Sequence, residues 1–426
     1  MVVVHSIELM NQWRDRLSEA FPGQRVARIG GGYKEDFSIL PVACVGVVNS
    51  ALPRLADLFA HHNHVTWRSL LIADECHHYI DAPVFGKLRQ HPFDYTLGLS
   101  ATIEPYEVEG LGRIVYEYKF VDAHRDGLVP PFDLVIVGVD LTSTERSDYL
   151  DLTDKIREQF KLVYELYGDE LNWIPDHRLF TKLKQIMTRG KEDDPIIKRL
   201  FIYLFKRAAV YYTAVRKMSL AQQITRLLVD HGRKKLVVFF ERIVSAETTE
   251  EDISIICARK LRAGLHEGDP IWCKVYHSGL RRQERSEVLD EFKRIGASAL
   301  LACRSLDEGV DIPTVDAAML AASTQSKRQR IQRIGRTLRR GDGDKRPIVI
   351  TLFARGTGDE NVCADDLQDF KGVATIHDES ERTCIARIES LCGPGQVGAP
   401  RVHATHQPDA AALAEFRIAH ERRPDA

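Results

Sequence analysis

No run of apolar side chains in these 426 residues approaches the roughly 18–20 that a membrane-spanning helix needs. Met1-Val2-Val3-Val4-His5 does not read as a secretory leader, being short and without a basic n-region. Cysteine lacks any useful pattern: the eight (44, 76, 257, 273, 303, 363, 384 and 392) include no C-x-x-C pair. That spacing argues against zinc and against a disulfide framework, and predicts reduced, buried thiols in a cytoplasmic protein. An excess of either charge is missing as well. The 59 Lys and Arg nearly cancel the 61 Asp and Glu, so any nucleic-acid footprint must be local. There is no internal repeat. Also absent is a G-x-x-x-x-G-K-S/T phosphate loop. The cluster Ile29-Gly30-Gly31-Gly32-Tyr33-Lys34 lacks the G-K-S/T ending and reads as a turn.

What is present describes a globular α/β protein. With 44% hydrophobic and 28% charged residues, the chain has enough apolar matter for two or three cores. Short apolar runs at Val2–Val4, Val42–Val48, Leu70–Ala73, Tyr95–Leu99 and Ile114–Tyr118 alternate with helical stretches. This rhythm predicts a parallel sheet covered on both faces over residues 1–140. Residues 141–232 lose the strand-like runs and predict a helical insert or connector. The rhythm returns over 233–358, with strands expected at Leu236–Phe240, Cys273–Tyr276, Ala299–Cys303, Ala317–Leu320 and Ile348–Phe353. A helical extension is expected over 359–392, then a flexible tail over 393–426, where Gly, Pro, Ala and His dominate.

The sharpest local feature is Leu70-Leu71-Ile72-Ala73-Asp74-Glu75-Cys76-His77. A buried strand ends in two carboxylates, at the edge where open α/β sheets bind ligands. ATP hydrolysis needs one carboxylate to hold Mg²⁺ through water and another to orient and deprotonate the attacking water. Downstream come Ser100-Ala101-Thr102, Tyr276-His277-Ser278-Gly279-Leu280, Asp307-Glu308-Gly309-Val310-Asp311-Ile312-Pro313 and Gln332-Arg333-Ile334-Gly335-Arg336-Thr337-Leu338-Arg339. In this order the segments resemble the motifs of superfamily 2 DExH-type (DEAD/DEAH-box-like) helicases and translocases, over roughly residues 2–120 and 234–355. Val2–Trp13 and Val47–Leu52 resemble the turns by which that family contacts the nucleic-acid backbone. In the first of these, His5 stands where the family has proline, and Asn49 in the second replaces the usual threonine.

The resemblance implies two RecA-like α/β lobes, the first incomplete, with a helical insert between them. It implies ATP and Mg²⁺ as cofactors, and catalytic roles for Asp74 (the indirect metal ligand), Glu75 and the arginine fingers Arg336 and Arg339. His77, Ser100, Thr102, Gly309, Asp311 and Gln332 take nucleotide-binding and coupling roles. Ser6, Asn49, Ser50, His277, Ser278 and Gly279 face nucleic acid. The segment Leu141-Thr142-Ser143-Thr144-Glu145-Arg146, followed by Tyr149, resembles the lead-in to a helical insert of DNA-translocating branches, which favours DNA over RNA. The alternative is a non-catalytic nucleic-acid-binding or regulatory subunit that keeps the fold.

The family's phosphate loop should precede the Val2–Trp13 segment, in a unit of about 30 residues. Without it the chain is expected to bind ATP poorly and hydrolyse it negligibly, and the first lobe to lose a central strand. A start set too late, gene decay, or a partner polypeptide carrying the loop would each account for this, the first two being favoured. His61, His62, His64 and His78 read as solvated, and Trp13, Trp67, Trp173 and Trp272 as core. Nine Lys and Arg against two Asp make 321–346 the densest basic stretch.

Overall fold

The computed structural model describes residues 1–33, 35, 36, 39, 41–62, 68–77, 87, 88, 91, 93–101, 113–172, 174, 176–189, 194–240, 253–266, 271–303, 315–322, 330, 331, 333–335, 338, 346–360 and 370–393. Five short strands form the first sheet: β1 (Val2–Val4), β2 (Val26–Ile29), β3 (Ala43–Val47), β4 (Leu70–Asp74) and β5 (Tyr95–Leu99). They run parallel in the order β2-β3-β1-β4-β5. Alternation along the strands explains why both faces are apolar. Val2 and Val4 pack with Met10, Trp13 and Leu17 of α1 (Ile7–Ala20), whereas Val3, Leu71 and Ala73 pack with Ala51 and Leu55 of α2 (Val48–His62). At Gly46 the fit is so close that an added Cβ would lie 2.8 Å from the Cβ of Ala51. β5 is the sheet's edge, and its Tyr95, Thr96 and Gly98 are exposed.

The strand expected at Ile114–Tyr118 does not form. These residues are exposed and find local partners instead: the rings of Tyr116 and Tyr118 stack 6.2 Å apart, and the Tyr118 hydroxyl donates to Asp126.

The second sheet has seven strands: β6 (Phe132–Val139), β7 (Lys235–Phe240), β8 (Trp272–His277), β9 (Ser298–Cys303), β10 (Ala317–Leu320), β11 (Ile348–Ala354) and β12 (Ala374–Ser380). All pairings are parallel, in the order β12-β6-β11-β10-β7-β9-β8. β6 precedes residue 140, where the first lobe was expected to end, yet it lies inside the second sheet between β12 and β11. Its eight residues are all buried, as the apolar run Leu134–Val139 requires of a central strand, and its one charged residue, Asp133, pairs with Arg346 and His377. Residues 359–392, read as helical, contain β12 as well as a helix. β12 is a half-exposed edge strand whose polar sequence Ala-Thr-Ile-His-Asp-Glu-Ser carries little strand signal.

The remaining helices are α3 (Phe120–Arg125), α4 (Ser143–Leu171), α5 (Asp176–Met187), α6 (Pro195–Tyr212), α7 (Val215–Asp230), α8 (Ile253–His266), α9 (Arg282–Arg294) and α10 (Cys384–Cys392). None of the described helices is long and apolar enough to cross a membrane. The expected helical block is α4 to α7. Thr142 and Glu145 form a capping box that starts α4, and Asp194 caps α6 by accepting from the N–H groups of Ile196 and Ile197. α4, α5 and α6 share a core of their own built on Val163, Leu183, Ile197 and Leu200. α7 instead lays Leu220, Ala221, Ile224 and Leu228 against the core of the second sheet.

Candidate nucleotide and nucleic-acid site

β4 carries its buried apolar residues up to Ala73 and then stops at Asp74. The next residue, Glu75, has φ 48°, and it is the one non-glycine residue with positive φ among those described. A left-handed conformation costs a side-chain-bearing residue roughly 1–2 kcal/mol, so the surrounding contacts must hold it. One of them is the N–H of Cys76, which donates to the carbonyl of Leu99 at 2.9 Å and staples the turn to the end of β5.

Within this turn each group has a partner. Asp74 Oδ1 accepts from the backbone N–H of Glu75 at 3.1 Å, and Asp74 Oδ2 accepts from the indole Nε1–H of Trp13 at 2.7 Å. His77 Nδ1 lies 3.1 Å from Ser100 Oγ and 3.5 Å from Glu75 Oε2. The His77 side chain is 5% exposed and that of Glu75 19%, so both contacts sit in a largely water-free turn. The structure thus brings together Asp74, Glu75, His77 and Ser100, four of the residues singled out from sequence. Trp13, read there as core, is the participant that sequence missed. The signal was a large side chain with a polar tip on a helix that starts at the same sheet edge.

The residues expected to face nucleic acid lie on helix starts and turns. Ser6 caps α1, its Oγ accepting from Leu9 N–H at 3.2 Å. Asn49 and Ser50 are exposed in the first turn of α2, which follows β3 directly. Both helices therefore open at the carboxyl ends of strands, the edge on which Asp74 also lies, where unpaired N–H groups attract phosphate. In the second lobe, His277 ends β8 and Ser278 and Gly279 turn outward, exposed. An added Cβ at Gly279 would come within 3.0 Å of His277 Nδ1.

In the segment 332–339, Arg333, Ile334 and Leu338 are buried in the second lobe, with Arg333 Cζ 5.5 Å from the ring centroid of Phe239. Arg333 is thus a core anchor. Thr102, Gly309, Asp311, Gln332, Arg336 and Arg339 lie outside the described residues, as do His64, His78, Trp67, Trp173 and the tail beyond 393. Trp272 stacks on Phe292 as a packing residue. No cluster of three metal-ligand side chains occurs among the described residues. Described cysteines are all free, and six of the seven are buried.

Two family models match the chain: "Type III restriction enzyme, res subunit" over residues 1–105 and "Helicase conserved C-terminal domain" over residues 219–341. The DNA 3'-5' translocase XPB2 of Sulfurisphaera tokodaii is 25% identical over 370 residues, covering 84% of this chain and 73% of that protein. This chain belongs to the superfamily 2 helicases. Its two lobes are accordingly RecA-like, and solved helicases share the fold. The helicase domain of Pyrococcus furiosus Hef aligns with a TM-score of 0.51 at 19% identity, covering 86% of this chain and 88% of that one. Dbp5 of S. cerevisiae, bound to RNA and ADP BeF3, aligns with a TM-score of 0.51 at 14% identity over 92% and 81%. Another superfamily 2 relative, a candidate DNA 3'-5' helicase of Haloarcula marismortui, is 23% identical over 390 residues. There the chain spans 89% of its own length but only 50% of the relative.

Proposed function

We propose that these residues form the motor of an ATP-driven DNA translocase or helicase. The reading is carried by the β4–β5 turn, where Asp74 and Glu75 stand at the ligand edge of a parallel sheet and His77 is tied to Ser100. The donor set there is all carboxylate oxygen, which suits Mg²⁺, a hard cation that keeps most of its water. Bound with ATP, Mg²⁺ would neutralise phosphate charge as the terminal bond breaks. Asp74 would hold the ion through water, and Glu75 would orient and deprotonate the attacking water. Arg336 and Arg339 would reach the triphosphate from the second lobe, beside Gln332, Gly309 and Asp311. His77, Ser100 and Thr102 would couple that site to the nucleic acid held at Ser6, Asn49, Ser50, His277, Ser278 and Gly279. Such contacts, made to the phosphate backbone, position the strand without reading sequence. DNA is favoured over RNA by the helical insert and by the DNA-acting relatives. The buried free thiols suit a reducing cytoplasm.

A second reading has its own observation. The 426 residues contain no G-x-x-x-x-G-K-S/T loop, so they supply neither the lysine nor the amide nest that grips phosphates. By itself the chain is then a nucleic-acid-binding subunit that hydrolyses negligibly, the phosphate loop coming from upstream residues or from a partner polypeptide. Phosphate release measured with and without DNA separates the two. The 426-residue chain is expected to stay at background, and the chain joined to a phosphate-loop unit to show a DNA-stimulated rate that Glu75→Gln abolishes. A DNA-stimulated rate from the chain alone, lost in Glu75→Gln, would refute the inactive reading. No rate from the completed protein would refute the motor.

A further inference from the structure

Asp74 is held from two directions by two donors. The backbone N–H of Glu75 meets Oδ1 and the indole N–H of Trp13 meets Oδ2, at 3.1 and 2.7 Å. One donor on each oxygen fixes both the tilt and the rotation of the carboxylate plane. Each oxygen keeps a second lone-pair site, so the carboxylate stays free to face a cation or its water. A donor to a charged oxygen is the stronger kind of hydrogen bond, and 2.7 Å is at the short end for it.

Packing alone does not require tryptophan here. The cluster around it, which includes Val2, Val4, Met10, Leu17, Val45 and Ile72, is apolar and offers the indole N–H no partner of its own. What only the indole adds is the N–H aimed at Asp74. α1, which carries Trp13, begins at the Ser6 cap, in the turn assigned above to nucleic acid. The Ser6 cap and the hydrogen bond to Asp74 thus lie two turns apart on one helix.

We propose that Trp13 is the positioning residue for Asp74. The proposal rests on the reading of Asp74 as the Mg²⁺ carboxylate.

The test uses the full chain labelled with ¹⁵N, with Mn²⁺ as a paramagnetic probe for the magnesium site. Trp13→Phe identifies the Trp13 indole signal among the four tryptophans. In Asp74→Asn that signal, and no other indole signal, is expected to move. An unmoved Trp13 indole would overturn the proposal even if Trp13→Phe folds poorly. Mn²⁺ is expected to broaden the Trp13 indole and the Glu75 amide first. In Trp13→Phe the Mn²⁺ concentration that half-broadens the Glu75 amide should rise about 10-fold or more, as when a metal site loses an outer partner. Equal half-broadening in both proteins would overturn the positioning role. If the indole responds to Asp74→Asn but Mn²⁺ never reaches Glu75, the metal reading of Asp74 falls, and the proposed role of Trp13 falls with it.

Discussion

Lys217 of α7 and Asp359, in the helical residues 358–360 that follow β11, meet at 2.7 Å with both side chains wholly out of solvent. The same Asp359 oxygen also accepts from Ala354 N–H at 3.0 Å. Burial pushes the Asp359 carboxyl up from its ordinary range, and the Lys217 ammonium and the Ala354 N–H pull it back. Removing only the cation leaves a buried carboxylate uncompensated. Lys217→Met is therefore expected to cost about 3–5 kcal/mol, and Lys217→Met with Asp359→Leu much less. Urea unfolding of the three proteins decides it, and equal losses from single and double changes would contradict the argument.

Two helix starts in the helical insert should be acid-sensitive. Burial, the largest single influence on Glu145 and on Asp194, pushes both carboxyls up, but their donors together outweigh it and leave both lowered. For Glu145 these are the N–H groups of Val215 and Thr142 and the Thr142 hydroxyl; for Asp194 they are the Tyr167 hydroxyl and the N–H groups of Ile197 and Ile196. A carboxyl lowered in the fold contributes stability above its unfolded pKa and loses it as pH falls through the folded value. The starts of α4 and α6 are thus expected to loosen below about pH 4, the unfolded range of such groups. Hydrogen exchange at the starts of α4 and α6 should rise there. Glu145→Gln with Asp194→Asn should flatten that dependence, and an unchanged acid midpoint would count against it.

Gly46 offers a test in the first lobe. An added Cβ lies 2.8 Å from Ala51 Cβ, so Gly46→Ala overpacks the β3–α2 contact and should cost about 1–3 kcal/mol. Adding Ala51→Gly removes the clash and should recover part of that loss. A single variant as stable as the parent in urea would show that α2 yields freely.

The parts of this fold legible in sequence are those where one physical rule acts alone. Val2–Val4, Leu70–Ala73 and most strands of the second sheet are apolar runs, and burial between neighbouring strands suffices to place them. β12 was illegible because an edge strand owes its pairing to β6, a partner more than two hundred residues away, and not to its own composition. Ile114–Tyr118 failed in the opposite sense: it has a strand's composition, but none of the described strands pairs with it. At the site, Asp74, Glu75, His77 and Ser100 were legible because their order along the chain mirrors a known motif set. Trp13 was not, since sixty-one positions separate it from Asp74 and only the packing of α1 on the sheet brings the two together.

The position of β6 decides which sheet carries the helical insert. Among the described strands, those up to residue 99 belong to one sheet and those from 132 onward to the other, and the crossing from one to the other comes before the helical insert. The insert leaves the second sheet at β6 and returns to it at β7, and Lys217 and Asp359 pin its base. It is rooted at both ends in one sheet, so a cut or insertion made in the insert would load the second lobe and not the first.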